Sequence, residues 1–325
     1  MGLLDSLKKG VSSTVRRVED AASSAAKKVE DAAQKAESAG WGAVKKAEGA
    51  ASSAVQKGEK AIGDSFEGVK KTVGPVLNAV NPFAKSADDK YDGALVGSGG
   101  KTFPAGTPLS QVPGVEPKGG ARNNETLIYT NGIQTTKDAQ ARSLQAIADL
   151  TGSKVVGVHN ATESVAADGL QVFTDKTKGA NPAVDSLAGT VYDELKAGRS
   201  VHLLSHSQGG LITARALSEV KNRMMVEDGM TKADAEKALS KVTCETFGAA
   251  AAHYPDGPKY IHNINRLDPV PTTLGLGEAT KWDPLTDGGK GAKVNYFTES
   301  HGLDVIANHD FEEVYLKHRQ APGAQ

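Results

Sequence analysis

One cysteine, Cys244, stands among 325 residues, so no intramolecular disulfide framework, paired-cysteine zinc site or dithiol redox centre is expected. No run of roughly 18 apolar residues occurs, so no transmembrane helix is expected. The stretch from Met1 to Gly10 lacks the apolar core of a secretory signal. These absences fit a cytoplasmic chain or one exported without a cleaved signal, with peripheral membrane contact allowed. Met1-Gly2 with Ser6 fits the loose myristoylation pattern, which has meaning only where a eukaryotic transferase is present. Neither charge sign is in surplus: 38 Lys and Arg face 39 Asp and Glu, and that balance argues against a nucleic-acid binder. The histidines show no zinc spacing and no phosphate loop is present, so no cofactor and no metal is implied. Asp88, Asp89, Asp92 and Gly93 lack the spaced acceptors and closing glutamate of a calcium loop and read as polar linker.

Aromatics are scarce as well, at 5%, and the shortage is concentrated at the beginning. Residues 1–73 are built almost wholly of Ala, Lys, Glu, Ser, Val and Gly, with Val-Glu-Asp-Ala-Ala at Val18 and again at Val29. That spacing of eleven residues recurs between Val44 and Val55 and corresponds to three helical turns, so Val and Ala line one narrow stripe bordered by Lys and Glu. Such a stripe buries little, and Gly40, Gly42, Gly49, Gly58, Gly63 and Gly68 interrupt it. Three readings stand: a solvated helical tail, self-association into a right-handed bundle, and a surface helix. For the last, Lys8, Lys9, Arg16 and Arg17 beside Leu3, Leu4, Leu7 and Val11 suit an anionic lipid surface. In composition and period the region resembles apolipoprotein and desiccation-associated helices.

Pro and Gly cluster over 74–120, which reads as a linker. The remainder, 121–325, changes character. Apolar runs at 126–130, 154–158, 201–205, 242–247, 260–264 and 294–298 alternate with helical patterns over 136–150, 183–197, 209–226 and 232–241, and a last helix is expected over 309–318. Strands alternating with helices call for an α/β fold with a mostly parallel sheet covered on both faces.

The stretch from Val201 to Leu217 reads as buried strand, tight turn and helix, with Ser205-His206-Ser207-Gln208-Gly209 at the turn. In a G-x-S-x-G elbow, small flanking residues let the chain reverse sharply enough to present a serine hydroxyl at the strand end, facing free N–H groups of the next helix. Serine stands here at the first glycine position. Ser207 is the candidate nucleophile, and His206 and His202 read as packing or hydrogen-bonding residues. A serine needs an imidazole base oriented by a carboxylate, and on this topology the order is Ser, acid, His. Asp268 lies in a loop stiffened by Pro269 and Pro271 just beyond a strand, where ligand sites of parallel sheets form.

Ser205 to Gly210, Thr246-Phe247-Gly248 and Asn265 to Pro271, taken in order, resemble the nucleophile turn, strand end and Asp-Pro-Val-Pro loop of the class-three lipases and related bacterial lipase-like effectors, over residues 125–320. The resemblance implies an α/β-hydrolase fold with Ser207 as nucleophile and Asp268 as acid. Alanines follow Thr246-Phe247-Gly248 where that family often has proline and arginine. His309, ahead of Phe311, Val314 and Tyr315, resembles the family's base position; His301, closer to the last strand, competes with it. His318 reads as a surface residue near a helix C-terminus. For the oxyanion, Gly132 at the exit of the first strand and the Gln208 N–H are the expected donors. The expected function is a serine ester hydrolase of lipase or phospholipase type acting on a lipid or other ester. A short-chain esterase, an acyltransferase and a non-catalytic lipid-binding or scaffolding protein are the alternatives.

Overall fold

A computed structural model describes residues 89–133, 135–161, 181–277, 287–302 and 304–320. The repeats over 1–73 and the first part of the expected linker lie outside these residues. Eight strands form one sheet: β1 (Leu95–Val96), β2 (Thr102–Phe103), β3 (Thr126–Thr130), β4 (Lys154–Val158), β5 (Val201–His206), β6 (Val242–Phe247), β7 (Lys259–Asn265) and β8 (Lys293–Phe297). Their order is β2-β1-β4-β3-β5-β6-β7-β8. From β4 to β8 every pairing is parallel, whereas β1 runs antiparallel to both β2 and β4.

Residues alternate between two apolar layers, as the period of two along a strand demands. Leu127, Tyr129, Val155 and Leu204 face α1 (Lys137–Thr151) and the segment Phe311 to Leu316. Ile128, Val156, Leu203 and Cys244 face the other way, toward α2 (Pro182–Lys196), α3 (Gln208–Val226) and α4 (Lys232–Leu239). Parallel strands covered on both faces must be apolar on both, and that is why these runs are continuous rather than alternating with polar residues. Local signals fix the helix ends: the Thr136 hydroxyl accepts from Ala139 N at the start of α1, and Gly152, at φ +70°, closes it. Asn181 caps α2 with Pro182 in its first turn.

Two expectations need correction. From residue 89 onward the expected linker belongs to the sheet: Leu95 and Val96 are fully buried, and Val115 exchanges both backbone hydrogen bonds with Val155. The glycines and prolines there shape short turns around two-residue strands, too brief for a periodic signal. The expected helix over 309–318 forms from Phe311 to His318, but its winding is not α. A short helix, α6 (Val305–Asn308), ends before His309, and Phe311–Tyr315 makes one wide turn closed by Tyr315 N on the Asp310 carbonyl, followed by a 3-10 turn at Leu316–His318. The Asp310 carboxylate caps that turn by accepting from Glu313 N, and Phe311, Val314 and Tyr315, at i, i+3 and i+4, enter the core together.

β3 connects leftward to β4 while the chain later resumes on the right with β5, so the order reverses between β3 and β5. Ligand sites of open α/β sheets form at the carboxyl ends of strands at such a switch point; Gly132 follows β3 and Ser207 follows β5 there, and Asp268 follows β7 on the same edge of the sheet.

Candidate active site

β5 delivers Ser207 directly into α3. Among the described residues it is the one non-glycine with positive φ (φ 57°, ψ −125°). A conformation of this kind costs about 1–3 kcal/mol and persists only where its surroundings enforce it. Three contacts do so. Ser207 N donates to the Phe247 carbonyl at 3.1 Å, and the Ser207 carbonyl accepts from Gly210 N and Ala250 N, both at 3.0 Å. The glycines after the turn are required: a Cβ on Gly209 would lie 2.2 Å from the Thr130 carbonyl oxygen, and one on Gly210 2.4 Å from Ala249 Cβ. Ser205 is fully buried in the sheet, paired with Thr130 and Thr246, which removes it as a rival nucleophile. Cys244 is buried too, and desolvation pushes its thiol up, followed by the charge of Glu245, so it stays protonated.

Asp268 begins α5 (Pro269–Leu274), a short helix where a stiff loop was expected. Proline fits the first helical turn, so Pro269 starts the helix rather than breaking the chain, and Asp268 becomes its cap. Oδ1 accepts from Val270 N at 2.9 Å. Oδ2 accepts from His309 Nδ1 and from the Tyr315 hydroxyl, each at 2.5 Å. The carboxyl is fully buried. Because a carboxylate only accepts, Nδ1 of His309 carries the proton, and in the neutral ring Nε2 holds the free lone pair. His309 Nε2 is buried and makes no hydrogen bond among the described residues.

His206 ties this pair to the serine turn. Its ring lies 4.5 Å from that of His309, and its Nε2–H donates to the His309 carbonyl at 3.0 Å. Burial, and then the neighbouring His309, hold His206 well below the ordinary histidine range, so it stays a neutral donor. His301 goes elsewhere: its Nε2 meets the Glu299 carboxylate at 3.2 Å and its side chain is 40% exposed. His309, not His301, therefore stands at Asp268. His318, read from sequence as a surface residue, stacks on Phe297 and bonds Glu299 at 2.6 Å.

Gly132 packs directly against the serine; a Cβ there would sit 2.8 Å from Ser207 Cβ. Gln208 opens α3 and is buried. The two expected donor residues thus flank Ser207, one from β3 and one from α3.

Several residues escaped the sequence reading. Tyr315 was read as a core anchor, yet its hydroxyl binds Asp268; burial first and the Asp268 charge second push that phenol far up, keeping it a donor. Gly248, at φ 54°, makes room for the ring, since a Cβ there would come within 2.8 Å of it. Asn265, fully buried, donates to the carbonyls of Glu299 and Asn308 and so holds the segment leading to His309. Asn160 lies beyond β4 with no motif around it. A signal did exist for Asn265, which ends an apolar strand immediately before the aspartate loop.

No family model matches this chain, and no curated protein matches it. The chemistry of the site itself therefore has to carry the functional reading.

Proposed function

We propose that this chain is a serine ester hydrolase of lipase or phospholipase type on an α/β-hydrolase fold. The observation that carries the reading is the strained Ser207 elbow at a strand-to-helix junction, together with a part-buried His309 whose Nδ1–H is held by a buried carboxylate and whose Nε2 makes no hydrogen bond among the described residues. In the proposed reaction Ser207 Oγ attacks the ester carbonyl while His309 Nε2 takes its proton. The C–O bond to the alcohol then breaks as His309 returns that proton to the leaving oxygen. Water deacylates the serine by the same route, releasing the acid and restoring the hydroxyl. Asp268 keeps the ring in the tautomer this requires. Backbone N–H groups at Gly132 and Gln208 hold the developing oxyanion.

An apolar acyl group is supported by Leu267 and Ile306, both exposed large side chains, one adjacent to Asp268 and the other three residues before His309. The resemblance to class-three lipases adds to this, as do the basic stripe residues of 1–73, which would bring the enzyme to anionic membrane surfaces. Among the described residues no helix is long and apolar enough to cross a membrane.

A fluorophosphonate probe followed by peptide mapping tests the assignment. Labelling of Ser207, together with loss of ester hydrolysis in a folded Ser207→Ala protein, is expected. Turnover that survives in Ser207→Ala, or a label on a different serine, defeats it.

A further inference from the structure

Behind the serine, at the carboxyl ends of three adjacent strands, lie three buried carboxamides: Asn131 after β3, Asn160 after β4 and Gln208 after β5, with 0%, 0% and 1% exposure. Asn131 Nδ2 donates to the Gly132 and Asn160 carbonyls, both at 2.8 Å, and Asn131 Oδ1 accepts from Asn160 N at 3.0 Å. Asn160 Nδ2 donates to Gln208 Oε1 at 2.7 Å. A chain of this kind in the interior is costly unless satisfied, and an apolar trio would stabilise the layer as well. What it supplies is position. Peptide bonds among the described residues are trans, so holding the Asn131 carbonyl on Asn160 Nδ2, at 3.4 Å, turns the next N–H, that of Gly132, the opposite way. Fixing the Gln208 side chain on Asn160 leaves its backbone N–H at the first turn of α3, beside the serine, with no part in holding the side chain. Gly209 lies against the Thr130 and Asn131 carbonyls, so the strand exit and the helix start are in closest contact at the same place.

We infer that Asn131 and Asn160 are positioning residues which lock the two backbone sides of the oxyanion hole to each other through Gln208. The inference rests on the proposed hydrolase reading. Because the hole acts on charge that develops in the transition state, loosening it lowers kcat and leaves ground-state binding nearly unchanged.

The experiment measures kcat and KM on a soluble p-nitrophenyl ester, with the full chain, for wild type, Asn131→Ala, Asn160→Ala, Gln208→Ala and the Asn160→Ala/Gln208→Ala pair, well below each unfolding midpoint. Wild-type turnover and Ser207 labelling come first; if both are absent, the hydrolase reading and this inference fall together. With both present, each asparagine variant should lose about tenfold to a hundredfold in kcat, somewhat below the loss of a whole oxyanion donor, with KM within about threefold. Gln208→Ala should lose about tenfold, and the double variant little more than Asn160→Ala alone, because both break the same link. Gln208→Ala leaves both asparagines in place and decides the question where an asparagine variant does not fold. Unchanged kcat in folded variants, a loss confined to KM, or additive losses in the double variant overturn the inference while the hydrolase reading stands.

Discussion

Replacing His202 by glutamine should make the protein less stable at pH 6 and leave it near wild type at pH 10. His202 lies in β5 with its side chain almost wholly buried between two carboxylates: Nδ1 on Glu125 at 2.9 Å and Nε2 on Glu245 at 2.7 Å. Arg319 closes the group with two bonds to Glu245, at 2.8 and 2.7 Å. Burial opposes the imidazolium, but the hydrogen bonds and charges of Glu125 and Glu245 prevail and raise His202 from 6.5 to about 9. With the folded value above the unfolded one, the stabilisation is full below pH 6.5 and is lost as pH rises to about 9. At about 1.4 kcal/mol per pH unit the difference amounts to roughly 3 kcal/mol. That agrees with the few kcal/mol typically lost when one member of a buried ionic group is removed. Urea unfolding of both proteins at half-unit intervals from pH 6 to pH 10 gives the gap, because contributions of groups that do not touch His202 cancel in the difference. A gap that stays constant across the range would refute the charged state of His202. On the acid side, Glu125 is lowered mainly by its bond from His202, so it adds stability above its unfolded value that disappears as pH falls through the folded one.

Three further outcomes are expected. His309→Ala should lower ester turnover by on the order of 10⁴ or more and Asp268→Asn somewhat less, while His301→Ala should retain activity; kcat/KM on a soluble ester checks all three, and a dead His301→Ala protein would exchange the two histidines. Ser207→Gly should be more stable than Ser207→Ala by about 1 kcal/mol, since strain of about 1–3 kcal/mol is relieved against an entropic loss of about 0.5–1; equal unfolding midpoints would mean the turn is unstrained. Deleting residues 1–73 should leave soluble-ester hydrolysis nearly unchanged and reduce hydrolysis on anionic vesicles, more at low salt than at high; equal losses on both substrates would tie the repeats to the chemistry instead of to the surface.

The parallel strands were legible because strands covered on both faces must be apolar throughout, and Val-, Ile- and Leu-rich runs such as 126–130 and 154–158 coincide with β3 and β4. Ser207 and Asp268 were legible for a related reason: each directly follows a run of that kind, in β5 and β7. The strands β1 and β2 were not, because two residues carry no period and their neighbours are glycine and proline. The choice between His301 and His309 depends on a hydrogen bond across 41 positions; the apolar residues just after His309 favoured it but did not encode that bond. The apolar face of Phe311, Val314 and Tyr315 was legible because i, i+3 and i+4 share one side of a helix, but its wide winding, capped by Asp310, was not. Asn131 and Asn160 look like ordinary turn formers until their strand ends are placed side by side.

The serine elbow and its partners also differ in when they leave the ribosome. β5, α3 and β6 can pair and pack once Phe247 has cleared the exit tunnel, but His309 and Tyr315 follow every strand of the sheet. During synthesis the proposed nucleophile would therefore exist without its proposed base, and Asp268 would lack its bonds from His309 and Tyr315. On the proposed hydrolase reading, the site stays silent until the segment carrying His309 and Tyr315 docks. Chains stalled before residue 309 should carry Ser207 yet resist the fluorophosphonate probe, and chains stalled with residue 320 clear of the exit tunnel should take the label; labelling of the shorter chains would show that the elbow reacts without its base.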